Sequence, residues 1–390
     1  MRVLITNAED WISLAICRSL RRKGIVVGLA SHDSEAMSFS SRYAEKKHIY
    51  TTPSVDEDMF IEDLVSVLKN EGYDYIIPTN DITLMAVSSR RKELEPYVKV
   101  PLASHQAIEA CDDKTKTIRL AEENGIPCPK TRFIEGPDDL LDAADEVGFP
   151  LVIKPRRGQG GKGIAFVSSK DELEDSYSKT VKNYGPAMIQ EFIKGEKYLL
   201  AALLNSEHTP RRASVHRVIR NIGGLTIYGK TASQPKIVDH GLKLLSAAGL
   251  YGMVEADYIL DKRDGLPKLM EINPRFFGSL AIHTAAGIDY PYLLCRMLME
   301  GDIETDISYK TGVRSRHLLK DTAHLITAIR GRKSYDYDLS KKQTLINYFN
   351  SFSCRNDYML SMDDPGPGFN EIGKIFGRKI NPLKGKNKQK

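Results

Sequence analysis

Apolar residues in the first hundred positions alternate between strand-like runs and helix-like spacing. Short apolar runs at residues 2–6, 25–30 and 75–78 predict buried strands. Between them, residues 13–23 and 60–69 carry apolar side chains at the three- and four-residue intervals of a helix face, which predicts two helices. Alternation of strands and helices is typical of a doubly wound parallel sheet, so we expect an α/β domain in this part of the chain.

The turn after the first predicted strand argues against one large class of α/β enzymes. Residues 6–11, TNAEDW, contain no G-x-G-x-x-G pattern. Those glycines let the backbone amides of a helix N-terminus approach a dinucleotide pyrophosphate. A nicotinamide or flavin enzyme is therefore disfavoured.

A second alternating region contains the most glycine-rich segment of the chain. We expect helices at residues 114–124 and near 137–147, and strands at 131–133, 151–154 and 164–168. The last two strands are joined by RRGQGGKG, residues 156–163. Glycines let backbone N–H groups approach an anion, and Lys114 and Lys154 would add positive charge, so we predict a phosphate-binding loop. A flexible hairpin without a ligand is the alternative.

Two predicted strands on either side of residue 260 carry an unusual set of polar side chains. Glu255 and Asp257 alternate along one strand, and Glu271, Asn273 and Arg275 alternate along the next, so each set shares one strand face. An Asp-Gly pair between the strands is typical of a hairpin turn. If the two faces coincide, carboxylate and amide oxygens converge, which suits Mg²⁺ bound together with phosphates. The alternative is a solvated strand face held by ion pairs.

Length and charge limit the organisation and the partners. A chain of 390 residues predicts two or three domains. Residues 372–390 hold seven basic residues and no acidic one, and subtracting them from the net charge of +5 leaves −2 for the rest. Because a nucleic-acid-binding protein needs a basic folded body, we expect no specific nucleic-acid partner. We interpret the basic tail as a solvated terminus, with a weak anion-binding arm as the alternative.

Cysteine spacing and hydropathy indicate the compartment. The five cysteines are scattered and form no C-x-x-C pair, which favours reduced thiols in the cytoplasm over disulfides or a zinc site. No stretch approaches the ~18–20 apolar residues of a membrane helix, so we expect no membrane span.

Together these segments resemble the ATP-grasp superfamily, in the branch similar to the ATP-binding domains of the carbamoyl phosphate synthase large chain. The resemblance covers roughly residues 1–302, and its most specific motif is EINPRFFGS at residues 271–279. The glycine loop at 158–163, the hinge QEFI at 190–193 and the strand at 252–258 follow in the family's order.

The resemblance implies a domain order. We expect a parallel-sheet domain over residues 1–109, followed by a two-lobed α+β ATP-grasp domain over 110–305. The smaller lobe, at about 115–185, would be a mobile lid. Residues 306–390 would form a small C-terminal appendage that ends in the basic tail.

The resemblance also implies roles for individual residues. Arg275 and Lys154 would be catalytic, at the transferred γ-phosphate. ATP would be bound by Lys114, Lys154, Gly160, Gly161, Lys162, Gly163, Gln190, Glu191, Phe192, Ile193 and Glu196. Two Mg²⁺ ions, with Mn²⁺ as an alternative metal, would be held by Asp257, Glu271 and Asn273.

One position departs from the family. Lys197 stands where the family usually has a ribose-binding glutamate, with Glu196 one place earlier. The residue that recognises the ribose is therefore left open.

Substrate residues are harder to predict than nucleotide residues. The candidates are arginines after the hinge and near residue 315, namely Arg212, Arg217, Arg220, Arg314 and Arg316. A surface charge or an ion pair is the alternative for each of them. We expect His216 and His283 to be structural, because the implied chemistry needs no histidine.

The activity implied by the resemblance is that of an ATP-dependent ligase that joins a carboxylate to an amine through an acyl phosphate. One alternative is phosphorylation of bicarbonate or carbamate, as in carbamoyl phosphate synthase. Another is a non-catalytic ATP-binding regulatory protein. The expected partners are a small-molecule carboxylate and amine, and a homodimer is compatible with the resemblance.

Overall fold

The computed structural model describes residues 1–134, 136, 139–158, 160–330, 341–354 and 356–380. Its strands are β1 (Arg2–Ile5), β2 (Val26–Ser31), β3 (Lys46–Ile49), β4 (Tyr75–Ile77), β5 (Thr131–Phe133), β6 (Leu151–Pro155), β7 (Ala165–Val167), β8 (Ala187–Glu191), β9 (Gly195–Leu204), β10 (Pro210–Ile222), β11 (Leu225–Thr231), β12 (Gly252–Asp261), β13 (Pro267–Asn273), β14 (Arg314–Arg316) and β15 (Asn356–Asp357). Its helices are α1 (Trp11–Arg22), α2 (Glu57–Glu71), α3 (Asp81–Ser89), α4 (Arg91–Leu94), α5 (His105–Asp112), α6 (Lys114–Glu123), α7 (Asp139–Val147), α8 (Leu173–Tyr184), α9 (Pro235–Ala247), α10 (Leu280–Ala285), α11 (Tyr290–Glu300), α12 (Leu318–Ile329), α13 (Lys341–Asn350) and α14 (Gly366–Ile380).

The chain divides into two compact units, and the first is discontinuous in sequence. Unit 1 comprises Met1–Pro101 and Asp357–Lys390, and unit 2 comprises Leu102–Asn356. Unit 1 contains a four-stranded sheet of order β3-β2-β1-β4, in which every pairing is parallel. Val3, Leu4 and Ile5 of β1 are fully buried, as a central parallel strand covered on both faces requires. The doubly wound sheet predicted from the first hundred residues is confirmed.

The C-terminal segment completes unit 1 through a buried ion pair. Arg18 on α1 donates from Nε to Asp364 Oδ2 at 2.8 Å and from Nη1 to the carbonyl oxygen of Met359 at 2.6 Å. The Arg18 and Asp364 side chains are 8% and 0% exposed. Ser41 Oγ donates to the same carboxylate at 2.8 Å. The predicted appendage over 306–390 is therefore split, because its last part belongs to unit 1 and residues 306–356 belong to unit 2.

The basic tail is helical where the structure describes it. Residues up to Ile380 lie in α14, which begins at Gly366 and packs against residues 37–40 of unit 1. Lys374 Nζ donates to the carbonyl oxygen of Glu35 at 2.7 Å. Residues 372–380 thus lie in a helix, which the charge pattern alone did not indicate. Residues 381–390, with the other four tail lysines, lie outside the described residues.

Unit 2 contains a small antiparallel sheet of order β5-β8-β6-β7. Its apolar face packs against α7 and α8 in a core that includes Leu151, Ile153, Val167, Leu173 and Ile189. This core fixes β6, the strand that ends at Lys154 and leads into the glycine-rich segment.

Unit 2 also contains a seven-stranded sheet of order β13-β12-β9-β10-β11-β14-β15. β12 and β13 pair antiparallel on either side of the Asp-Gly turn, as predicted. β9 lies on the other side of β12 and pairs with it along its whole length, from Gly195 opposite Asp261 to Leu204 opposite Gly252. These two pairings set which polar side chains meet.

None of the helices within the described residues is both long and apolar enough to cross a membrane.

Candidate functional site

The hairpin of β12 and β13 gathers the predicted carboxylates on one face. Asp257 lies directly opposite Glu271, and Glu255 lies directly opposite Asn273. Directly paired residues of an antiparallel ladder have Cβ atoms about 4.5–5.5 Å apart and share a face, so the four side chains converge as expected. Glu255 is 8% exposed and Asp257 3% exposed, whereas Glu271 remains partly open to solvent.

Lys154 reaches this face from the small sheet. Its side chain is buried, and Nζ donates to Gln190 Oε1 at 2.6 Å. Burial lowers the pKa of Lys154 to about 8, although the Glu271 carboxylate acts in the opposite direction. A desolvated ammonium with a neutral hydrogen-bond partner is well placed to bind an anionic ligand.

Gln190 has a role that sequence reasoning missed. The resemblance implied only that it binds ATP, together with the other hinge residues. Its side chain is fully buried between Lys154 and Thr131, whose Oγ1 accepts from Gln190 Nε2 at 2.9 Å. The β6–β8 pairing, with Val152 opposite Gln190, puts the amide beside the end of β6. A Lys and a Gln 36 positions apart give no sequence signal of this contact.

Lys114 joins the glycine-rich segment to the carboxylates. It is the first residue of α6, and its Nζ donates to the carbonyl oxygen of Gly158 at 2.7 Å. The same Nζ lies 3.9 Å from Glu271 Oε2. Its backbone N–H donates to the carbonyl oxygen of Arg156, so the start of the loop is held at the N-terminus of α6.

The glycine-rich loop needs its glycines for two different reasons. Gly160, Gly161 and Gly163 all have positive φ, between 66° and 74°, which L side chains rarely adopt. A Cβ on Gly163 would also lie 2.6 Å from Pro155 Cγ, whereas a Cβ on Gly161 would meet nothing within 4 Å. Lys162 is exposed in this loop. The requirement at Gly161 is therefore conformational alone.

The hinge residues after β8 are only partly available to a ligand. Glu191 accepts from the backbone N–H of Lys130 at 3.3 Å and forms an ion pair with Arg263. The N–H of Phe192 donates to the carbonyl oxygen of Pro150, and the Phe192 ring packs edge-on against Phe166. Ile193 is buried. The Glu191 side chain and the Phe192 backbone N–H are thus engaged within the protein.

Glu196 is not brought to the carboxylates. Consecutive residues of β9 point to opposite faces, and Lys197, not Glu196, shares a face with Asp257. Glu196 instead accepts from Tyr198 Oη at 2.9 Å and pairs with Arg217 at 2.8 Å. Glu196 therefore lies on the face of β9 opposite to the carboxylate cluster.

Lys197 lies inside the carboxylate group. Its Nζ is 2.7 Å from Asp257 Oδ2, and the two side chains are 22% and 4% exposed. Burial acts to lower the pKa of Lys197, but Asp257 and Glu271 outweigh it and hold the pKa above its usual value. Sequence reasoning noted this lysine as a departure but did not place its ammonium on Asp257.

The carboxylates respond differently to this environment. Burial raises the pKa of Asp257 to about 6 against the opposing effect of Lys197, and burial together with Asp257 raises that of Glu255 well above its usual value. Burial also disfavours ionisation of Glu271, but Lys114, Lys197 and Lys154 together hold its pKa below the usual value. Glu271 is therefore the carboxylate most strongly held in its charged form.

Glu271 and Asn273 fit a hard divalent cation, and Asp257 does not. The first two supply carboxylate and amide oxygens on a partly open face of β13. Asp257 Oδ2 is bonded to an ammonium, and its Oδ1 is buried without a hydrogen-bond partner. Within the described ranges, no group of three or more His, Cys, Asp or Glu side chains is arranged to hold a metal ion.

Arg275 follows β13 at the edge of this cluster. Its Nη1 donates to the carbonyl oxygen of Phe276 at 3.0 Å. Its guanidinium lowers the pKa of both Glu255 and Glu271, against the dominant effect of burial on each, so it contributes positive charge at the site.

The predicted substrate arginines are engaged within the protein. Arg220 donates through Nε and Nη2 to both oxygens of Asp321 at 2.7 Å, in a fully buried pair. Arg316 donates to Ser351 Oγ at 3.0 Å, and Arg212 donates to the carbonyl oxygen of Arg211 at 2.7 Å. These contacts favour the structural alternative for Arg212, Arg220 and Arg316.

The two histidines belong to a buried polar network next to the site. His283 Nδ1 lies 2.7 Å from Ser214 Oγ, and His283 Nε2 lies 3.1 Å from His216 Nδ1. Burial lowers the pKa of His283 to about 3 and that of His216 well below its usual value. Two neutral, packed imidazoles agree with the structural role that we expected.

Comparison with known proteins places this arrangement in a fold. The sequence model of the ATP-grasp domain matches residues 111–279. The carbamoyl phosphate synthase large chain of Clostridium botulinum (strain Alaska E43 / Type E3) is 24% identical over 282 residues, which cover 68% of this chain and 25% of that protein. This chain thus spans about a quarter of the length of that relative.

Two solved structures have the same fold at low sequence identity. The biotin carboxylase domain dimer of Hydrogenobacter thermophilus 2-oxoglutarate carboxylase, in complex with MgADP, ADP and bicarbonate, matches with a TM-score of 0.67 and 17% identity over 80% of this chain and 73% of that one. The L-amino acid ligase from Bacillus licheniformis matches with a TM-score of 0.62 and 20% identity over 78% and 75%. The predicted fold class and the resemblance to the ATP-grasp superfamily are confirmed.

Proposed function

We propose, for a chain that contains an ATP-grasp domain over residues 111–279, that it is an ATP-dependent ligase joining a carboxylate to an amine. The observation that carries the proposal is the meeting of Lys154 and Lys114 with Glu271 and Asn273. The ammonium groups of Lys114 and Lys154, which can bind the phosphates, thereby lie beside the carboxylate and amide oxygens that suit Mg²⁺. Such a pairing is what binding of a nucleoside triphosphate requires.

The reaction would proceed in two steps. A carboxylate oxygen of the substrate attacks the γ-phosphorus of ATP, the bond from that phosphorus to its bridging oxygen breaks, and ADP leaves. The amine then attacks the acyl carbon, inorganic phosphate leaves with the bonding electrons, and the nitrogen releases a proton to solvent. The product is an amide.

The residues of the site would stabilise charge and exclude water during these steps. Lys154, Lys114 and the N–H groups of the glycine loop would hold the phosphates, and Arg275 would neutralise charge on the transferred phosphoryl group. Closure of the loop would keep water from the acyl phosphate. When bound, Mg²⁺ would add positive charge at the phosphate oxygens, with Glu271 and Asn273 as its protein ligands.

Hydroxylamine provides the direct test, because it converts an acyl phosphate into a stable hydroxamate. We expect ATP-dependent hydroxamate from at least one member of a set of amino acids and other small carboxylates. With amines added instead, mass spectrometry should detect the amide and inorganic phosphate in equal amounts. Absence of hydroxamate and amide in a protein that binds ATP would contradict the ligase.

A matched pair of variants ties the reaction to this site. Glu271→Gln should lower turnover at least ~100-fold while the fold survives, because a neutral amide cannot balance a divalent ion. Glu174→Gln changes the same charge on the exposed side of α8 and should leave turnover unchanged. Normal turnover in folded Glu271→Gln would exclude the proposed metal ligand.

Two further candidates have specific support. The likeness to the carbamoyl phosphate synthase large chain favours phosphorylation of bicarbonate or carbamate, in which case bicarbonate alone would stimulate release of phosphate. The ion pair between Lys197 and Asp257 favours a non-catalytic ATP-binding protein. In that case ATP would bind without any turnover.

We also propose a cytoplasmic protein that binds small molecules and forms a homodimer. The five cysteines are all free thiols, as a reducing compartment allows. The homodimer is supported by the structurally similar biotin carboxylase domain of 2-oxoglutarate carboxylase, which is a dimer. Sedimentation equilibrium would test this assembly.

A further inference from the structure

Lys197 is the feature that separates this site from one that could take two metal ions. Its Nζ bonds Asp257 Oδ2 at 2.7 Å, on the face that also carries Glu255 and Glu271. We propose that this ammonium stands in for one divalent ion, so that the nucleotide is bound with a single ion, held by Glu271 and Asn273. The inference rests on the proposed function only in requiring that the site binds a nucleotide.

The distance to Lys197 opposes a second ion on Asp257 Oδ2. A Mg²⁺ ion sits at about 2.0–2.1 Å from its oxygen ligands. Bound to Oδ2, it could be no more than about 5 Å from the Lys197 ammonium, even in a straight line through that oxygen. A divalent ion at that separation from an ammonium is strongly repelled in a water-poor site. The ammonium would have to leave before the ion could bind.

Lys197 has little freedom to leave. It lies on β9, whose backbone pairs with β12 along its whole length, and Lys197 is directly opposite Ile259. Only 22% of its side chain is exposed. Its removal from Asp257 would leave a carboxylate that is 4% exposed without a cation, while Asp257 Oδ1 already has no partner. The fold therefore holds the ion pair between Lys197 and Asp257 in place.

The cluster holds more cations than carboxylates before any metal binds. Three carboxylates lie in the cluster, Glu255, Asp257 and Glu271. Four cations act on them: Lys114, Lys154, Lys197 and Arg275. A site for two divalent ions needs an excess of acidic ligands, whereas this one has an excess of cations. One ion accompanying the four negative charges of ATP is compatible with that balance, and a second would have to compete with Lys197 for Asp257.

Counting Mn²⁺ tests the inference without any measurement of activity. Mn²⁺ replaces Mg²⁺ in oxygen sites, and its free concentration is read by electron paramagnetic resonance. In the presence of a saturating non-hydrolysable ATP analogue, we expect one Mn²⁺ for each nucleotide bound to the wild-type chain. Two Mn²⁺ per nucleotide would overturn the inference while leaving the nucleotide site in place.

A pair of lysine variants sharpens the count. Lys197→Gln frees Asp257, so a second Mn²⁺ should bind at least tenfold more tightly than to wild type. Lys236→Gln removes the same charge from the exposed surface of α9 and should keep a count of one. A second ion that is equally weak in Lys197→Gln and wild type would also overturn the inference. If the wild type binds no nucleotide at all, the proposed function fails, and the inference fails with it.

Discussion

The two sheets of unit 2 each bring a lysine to the candidate site, and the two lysines are in opposite electrostatic situations. Lys154, from the small sheet, donates to the neutral amide of Gln190, and burial lowers its pKa to about 8. Lys197, from the large sheet, donates to the Asp257 carboxylate, which holds its pKa above the usual value despite burial. The first ammonium still lacks an anionic partner of its own, and the second already has one.

This difference separates function from stability within one cluster. A desolvated cation with a neutral partner destabilises the free protein but increases the attraction for an anionic ligand. A buried cation paired with a carboxylate is held by the fold, and removal of either member leaves the other uncompensated. Variants of Lys154 should therefore act on nucleotide binding, and variants of Lys197 on stability.

The largest effect is expected for Lys154→Met. Loss of the ammonium should lower kcat/KM for ATP at least ~100-fold, the size of effect seen when one preorganised donor to a developing charge is removed. Stability to urea should stay the same or rise, because methionine is apolar and fills a similar volume. Steady-state phosphate release and urea titration give the two values. A destabilised protein with normal turnover would reverse the assignment of the two lysines.

Lys197→Met should act on stability. Breaking the pair with Asp257 should lower the free energy of unfolding by about 3 kcal/mol, the lower end for a buried pair, because Lys197 is 22% exposed. The double variant Lys197→Met with Asp257→Asn should recover most of that loss, since no buried charge is left unpaired. Lys236→Met serves as the exposed control. Equal stability of Lys197→Met and the double variant would contradict the idea that the unpaired Asp257 carboxylate causes the loss.

The pH dependence of ATP binding should report Lys154 and not Lys197. A lysine is charged below its pKa, so raising the pH through about 8 removes the charge of Lys154 while Lys197 remains protonated. Above that value, kcat/KM for ATP should fall about tenfold per pH unit, since this ratio reports groups of the free enzyme. Lys154→Arg, which stays charged, should abolish the decline if it retains activity. A decline that is the same in Lys154→Arg belongs to another group.

The sequence predicted where the site residues lie on their strands better than it predicted the partners of the two lysines. Glu271 and Asn273 could be placed on one face because strands alternate with a period of two, and the Asp-Gly turn indicated how β13 pairs with β12. Lys154 could be placed at a strand end for the same local reason. What periodicity could not give is the partner of each lysine, because Gln190 and Asp257 are 36 and 60 positions away and meet them only through sheet pairing.

Strand register also decides which of two neighbouring residues enters the carboxylate cluster. Glu196 and Lys197 are neighbours in sequence, and only the register of β9 against β12 decides which of them faces Asp257. The C-terminal segment presents a similar limit. Asp364 is 346 positions from Arg18, so no local pattern could predict that the end of the chain completes unit 1.

The smallest effect is expected in the glycine loop. A change there should weaken ATP binding, as expected for Lys154, and should leave stability almost unchanged. Gly161 has φ of 70°, and a Cβ there meets nothing within 4 Å among the described residues, so Gly161→Val acts chiefly by straining the backbone. The strain is on the order of 1–2 kcal/mol, which should weaken ATP binding about tenfold. Stability should change no more than in Gly265→Ala, a glycine with φ of 67° in the β12–β13 turn that likewise meets nothing.

Trypsin gives an independent measure of the same loop. Arg156, Arg157 and Lys162 flank the glycines and provide cleavage sites, and cleavage requires a locally open chain. We expect rapid cleavage without ligand and protection by Mg²⁺ with a non-hydrolysable ATP analogue, because the phosphates then favour the closed loop. Protection should be weaker in Gly161→Val. It should be unchanged in Lys197→Gln, because Lys197 lies on the large sheet and bonds Asp257 there. A loop that is cleaved equally fast when the analogue is bound tightly would not be the phosphate-binding element, and Lys154 would then have to bind its anion without it.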